Sequence, residues 1–161
     1  MTRDSRDLPV CECGERMIEV CALDGTHVCF RCLECECRAR GSDEPDYLEA
    51  TDLRERGVLI IGSGNIVHNL GILDFGNMEA KTYGWAVEFD EKVKAGLVTR
   101  NDKALIHYEK MGPSSSLAVP TPDHYLPMIY AIALREKDEP LSFTYEGFHH
   151  ASISMRCFQI G

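Results

Sequence analysis

The chain lacks any apolar run approaching the length of a membrane span, and its opening Met1-Thr2-Arg3-Asp4-Ser5-Arg6 lacks the apolar core of a secretory signal. These absences argue against a membrane-embedded or exported protein, and we read a cytoplasmic one. A basic excess is missing too: 17 Lys and Arg stand against 26 Asp and Glu, giving a formal charge of −9. Phosphate backbones and anionic membranes attract clustered cations, so neither nucleic acid nor membrane is an expected partner. There is no internal repeat and no low-complexity tract. What remains is a chain of 161 residues, 44% hydrophobic, long enough for one ordinary domain and a small module.

Seven of the eight cysteines crowd between Cys11 and Cys37. Without an export signal, reduced thiolates holding a metal are a better account than disulfides. Cys11-Glu12-Cys13-Gly14 and Cys32-Leu33-Glu34-Cys35 outline the two knuckles of a zinc ribbon, separated by a stretch containing the turn Asp24-Gly25-Thr26. Zinc favours four tetrahedral sulfur or nitrogen ligands, and its binding contributes roughly 10–16 kcal/mol in finger peptides, enough to fold a segment with little core. The expected structural Zn(II) ligands are Cys11, Cys13, Cys32 and Cys35, with Cys21, Cys29, Cys37 and His27 as further candidates. Cys29-Phe30-Arg31-Cys32 reads alternatively as a redox pair, although no βαβ pattern surrounds it. Cys157, alone in an expected final strand, reads as a small buried hydrophobe.

The composition changes at Arg38 to Pro45, which places the boundary between residues 1–45 and 46–161. A helix is expected from Asp46 to Arg56, with Gly57 as its C-cap. Val58-Leu59-Ile60-Ile61 then reads as a strand buried on both faces, breaking at Gly62-Ser63-Gly64 to present Asn65 and His68 where ligands gather beyond strand ends. Trp85, Phe89, Val93 and Leu97 recur at helical spacing and predict an amphipathic helix facing the core. Ala104 to Met111 reads as a shorter helix, and Gly112 to Ser116 as a flexible loop. Pro120-Thr121-Pro122-Asp123-His124-Tyr125 opens a helix expected to run to Leu134, with Thr121 as N-cap and Pro122 at its first position. Leu141–Tyr145 and Ala151–Phe158 read as strands completing a mixed sheet.

The motifs SGNIVHN and PTPDHYLPMIYA, with Leu53-Arg54-Glu55-Arg56-Gly57, Tyr83-Gly84-Trp85-Ala86, Ser152-Ile153-Ser154-Met155 and Gln159-Ile160-Gly161, resemble the C-terminal part of the DODA-type (LigB-like) class III extradiol ring-cleavage dioxygenases over roughly residues 50 to 161. That family also carries an N-terminal half with GHGSP-like and SAHW-like motifs, each supplying a metal-binding histidine. Neither motif occurs here.

The resemblance implies a non-haem Fe(II) or Zn(II) centre that cleaves a catechol with dioxygen. Open coordination positions serve such chemistry, and a histidine near neutrality can exchange catechol protons. By position, His124 matches a metal ligand, and His68 matches a histidine treated either as ligand or as acid/base. Asn65 orients His68 or a substrate oxygen, or serves its turn; Tyr125 donates to a bound diol, or packs. His107, His149 and His150 read as surface or core residues. The expected fold is α/β, a mixed sheet with flanking helices plus the zinc-ribbon-like module. A homo-oligomer or a complementary N-terminal half would complete the site; otherwise the chain is a catalytically silent binding or scaffold protein, or a truncated remnant.

Overall fold

The computed structural model describes residues 18–21, 27–31, 38–39 and 50–161. The chain divides into two compact units, Met1–Ile61 and Gly62–Gly161. In the first, β1 (Ile18–Cys21), β2 (His27–Arg31) and β3 (Arg38–Ala39) form an antiparallel sheet. Ile18 lies opposite Arg31 and Phe30 opposite Ala39, with an irregularity between Val20 and Cys21. The expected zinc ligands Cys11, Cys13, Cys32 and Cys35 lie outside the described residues.

Helix α1 (Ala50–Glu55) ends where Gly57 takes φ +78° and its N–H donates to the Arg54 carbonyl at 2.9 Å, the left-handed cap anticipated there. The following Val58–Ile61 segment departs from expectation. It forms no strand, and its side chains are 46, 79, 38 and 61% exposed. A strand apolar on both faces needs neighbours along both edges, and the described residues pair none with it.

In the second unit the long helix α2 (Gly84–Thr99) packs on α3 (Asp102–Ile106) and α4 (Ser114–Ala118). Its stripe behaves as the periodicity predicts, with Phe89 and Val93 fully buried and Leu97 nearly so, while Trp85 is half-buried. Arg100 ends α2 in the left-handed region at φ 56°. A Cβ at Gly96 would meet Leu105 Cδ2 at 2.8 Å, so the glycine permits the close crossing of α2 and α3. The expected loop at 112–116 is partly helical, since Ser114 and Ser115 begin α4. Asn101 caps α3 by accepting from Ala104 N–H at 3.2 Å, and the chain continues into a 3-10 turn at Tyr108–Lys110.

Helix α5 is shorter than expected, spanning Leu126–Ala133. The Pro122 carbonyl accepts from both Tyr125 N–H and Leu126 N–H at 2.9 Å, closing a turn before the helix, and Pro127 takes the early helical position assigned to Pro122. Two small antiparallel sheets follow, pairing β4 (Leu141–Tyr145) with β7 (Cys157–Ile160) and β5 (Phe148–His149) with β6 (Ile153–Ser154). These small antiparallel sheets replace the single mixed sheet expected of the described residues. The last strand breaks at Met155–Arg156 because Arg156 turns inward, and Cys157 is exposed, its thiol donating to the Met155 carbonyl at 3.4 Å.

Candidate functional site

Two segments of the second unit bring His68 and His124 together. The first, Asn65 to His68, is stitched in by its backbone: Asn65 N–H donates to the His124 carbonyl, His68 N–H to the Ala118 carbonyl, both at 2.9 Å, and Ser154 N–H to the Val67 carbonyl at 3.0 Å. His68 also bridges Ile153 in antiparallel fashion, so β6 runs between this segment and β5. The second segment is the Thr121–Tyr125 turn. Glycines let the two approach. A Cβ at Gly62 would meet the Pro127 carbonyl oxygen at 2.7 Å, and one at Gly64 would overlap the His124 carbonyl.

The His68 and His124 rings stack with centroids 4.9 Å apart and planes inclined by 19°. Their environments differ. His68 is buried, with Nδ1 3.1 Å from the Asn65 carbonyl and Nε2 2.8 Å from the Thr121 carbonyl. His124 is partly exposed, and its Nε2 lies 3.3 Å from Asp123 Oδ2. A hydrogen bond from the Thr121 side chain holds the exposed Asp123 carboxyl below its ordinary range, helped by its own backbone and the nearby histidines.

The Asn65 main-chain carbonyl faces His68 Nδ1, while the Asn65 side-chain amide donates to the Ser154 carbonyl at 2.8 Å. Tyr125 is fully buried between Phe89 and Tyr108, and its hydroxyl donates to the Leu105 carbonyl at 3.0 Å. Burial pushes that hydroxyl far above its usual titration range. In this structure the hydroxyl is engaged by main chain inside the core. The remaining histidines lie in other settings: His107 faces Glu109 at 3.7 Å, and His150, at φ 51°, has Nδ1 3.0 Å from the Asp74 carbonyl.

A metal centre needs converging donors with free lone pairs. Among the described residues no group of three or more His, Cys, Asp or Glu is arranged to hold a metal ion. In His68 both ring nitrogens already face carbonyl oxygens. The described residues do not fit a mononuclear metal by themselves.

Sequence reading missed the support behind this pair. Asp90, buried on α2, accepts from Ser154 Oγ at 2.6 Å and from Arg156 Nε at 3.0 Å, and Arg156 also pairs with Glu91 at 2.7 Å and with Glu146. The signal was a carboxylate set between Phe89 and Val93 on an otherwise apolar face.

No family model matches the chain. It is 36% identical over 112 residues to the 4,5-DOPA dioxygenase extradiol of Escherichia coli (strain K12), covering 68% of this chain and 41% of that protein. It is 27% identical over 108 residues to the 4,5-DOPA dioxygenase extradiol of Portulaca grandiflora, covering 66% of this chain and 39% of the other. The crystal structure of an uncharacterized protein from Escherichia coli K12 matches with a TM-score of 0.62 and 35% identity, covering 69% of this chain and 46% of that one. The chain is thus homologous to DOPA extradiol dioxygenases over about 68% of its length, and spans about two fifths of the length of those relatives.

Proposed function

We propose that the chain, homologous over most of its length to DOPA extradiol dioxygenases, is a metal-dependent extradiol dioxygenase-like protein whose catechol site is completed by donors that Gly62–Gly161 do not supply. The observation that carries this reading is the stacked His68–His124 pair, built from the two histidine-bearing segments that resemble the family. The substrates are a catecholic small molecule and dioxygen, and the cofactor is Fe(II) or Zn(II). His124, the more exposed ring, is the candidate ligand, and His68 acts as ligand or as acid/base. Asn65 fixes the His68 ring through its carbonyl, and Asp123 supplies negative charge beside His124. A homo-oligomer or a second polypeptide carrying the family's N-terminal motifs supplies the missing ligands. Cys11, Cys13, Cys32 and Cys35, which lie outside the described residues, are the proposed ligands of a structural Zn(II).

A second reading, a catalytically silent scaffold or binding protein, is favoured by the two carbonyl contacts of His68 and by the incomplete donor set. One experiment separates the two. The full chain is loaded anaerobically with Fe(II), mixed with a panel of catechols with and without the part of the Escherichia coli relative outside the matched 112 residues, and exposed to air. Ring-opened product in the complemented mixture supports the dioxygenase reading; intact catechols in every mixture favour the scaffold.

A further inference from the structure

The strand against which the His68 segment lies is very short. β6 holds two residues, Ile153 and Ser154, and pairs with a β5 of the same length. A two-stranded ladder of this size is marginally stable at best on its own. Yet residues 65–69 are fixed to it and its flank at three successive positions. Ser152 Oγ donates to the Asn69 carbonyl at 3.1 Å, and Ile153 bridges His68. Ser154 N–H donates to the Val67 carbonyl at 3.0 Å, while the Ser154 carbonyl accepts from the Asn65 side-chain amide at 2.8 Å.

Ser154 reaches a larger element with its side chain. The residue is buried, and its hydroxyl donates to Asp90 Oδ1 at 2.6 Å and accepts from Arg156 N–H at 3.3 Å. Asp90 belongs to the 16-residue helix α2 and is itself buried. One residue thus faces the histidine segment with both main-chain polar groups and the long helix with its hydroxyl. An alanine there keeps the first pair of bonds and withdraws a partner from both Asp90 Oδ1 and the Arg156 N–H, in a place closed to water.

We infer that Ser154 is a positioning residue of the histidine junction: its hydroxyl ties β6 to α2, and through β6 it sets where residues 65–69, and so the His68 ring, stand against His124. That this junction serves a catechol site rests on the proposed function; the positioning by Ser154 does not.

Nuclear magnetic resonance of the full chain, labelled at histidine, tests this. The His68 and His124 rings, with centroids 4.9 Å apart, are close enough for a proton cross-relaxation peak between them. Wild type is compared with Ser154→Ala and with Ile132→Ala, which empties core volume on α5. Both variants are expected to lower Tm by about 4 °C or more. Only Ser154→Ala is expected to lose the inter-ring peak and to shift the ring carbons of both histidines. If Ser154→Ala is insoluble, Ser154→Cys is read in its place, since it fills similar space with a far weaker donor. A wild type without the peak, a peak that survives in the Ser154 variant, or one lost equally in Ile132→Ala overturns the inference. Because the readout involves neither catechol nor dioxygen, its failure is distinct from failure of the dioxygenase reading.

Discussion

Gly64 lies directly against the carbonyl of His124, with no room for a Cβ between them. The obstacle is main chain already engaged by Asn65 N–H, so it cannot swing aside. Gly64→Ala is expected to destabilise the unit by about 3 kcal/mol, the upper end of the usual cost of overpacking, because the opposing group is fixed. Gly84→Ala is the control: it opens α2, meets nothing within 4 Å, and should be neutral or slightly stabilising. Urea unfolding of the two variants measures the contrast.

Asp90 and Arg156 are almost wholly buried, at 2 and 3% side-chain exposure, and tie α2 to the end of β6. Removing Asp90 takes away the one buried carboxylate of Arg156 and leaves it only the more exposed Glu91 and Glu146. Asp90→Ala is expected to cost about 3–5 kcal/mol, whereas the paired replacement Asp90→Leu with Arg156→Met should recover most of that loss. A double-mutant cycle in urea gives the coupling directly.

The Lys94 ammonium, 2.6 Å away, holds the Glu146 carboxyl below its ordinary value of 4.5, and Arg156 adds to the effect. A carboxyl depressed in the folded state binds its proton later than in the unfolded chain. Its contribution is therefore present above the unfolded value and disappears as pH falls through the folded one. Stability should decline between about pH 5 and pH 3, and Glu146→Gln should flatten that decline while leaving the slope near pH 7 unchanged. Thermal melts across this range, with and without the substitution, check the sign.

Tyr125→Phe removes the donor from the buried Leu105 carbonyl. The expected cost is about 1–3 kcal/mol, with no change in catechol affinity of the complemented protein. Weakened catechol binding at unchanged stability would instead assign the hydroxyl to substrate.

What was legible in the sequence followed from local rules. The periodicity of Trp85 to Leu97 located α2, Gly57 marked the end of α1, and both histidine motifs converge on one junction. The misreadings have tertiary causes. Val58–Ile61 has the composition of a central strand but lacks strands to pair with among the described residues. Helix α5 starts late because the Pro122 carbonyl closes a turn first, and Cys157 faces outward because Arg156 occupies the interior beside it. The ring partners of His68 are main-chain carbonyls, which no side-chain pattern reveals.

The central claim is that the histidine junction belongs to a ring-cleaving site that other donors complete. Its most direct test is catechol turnover under isotopically heavy dioxygen, comparing the Fe(II)-loaded chain alone with the chain supplied with the unmatched part of the Escherichia coli relative. A ring-opened product carrying both heavy oxygen atoms is expected in the complemented mixture only, and is lost with His124→Ala. Full turnover by the chain alone, or no labelled product in either mixture, would contradict that claim.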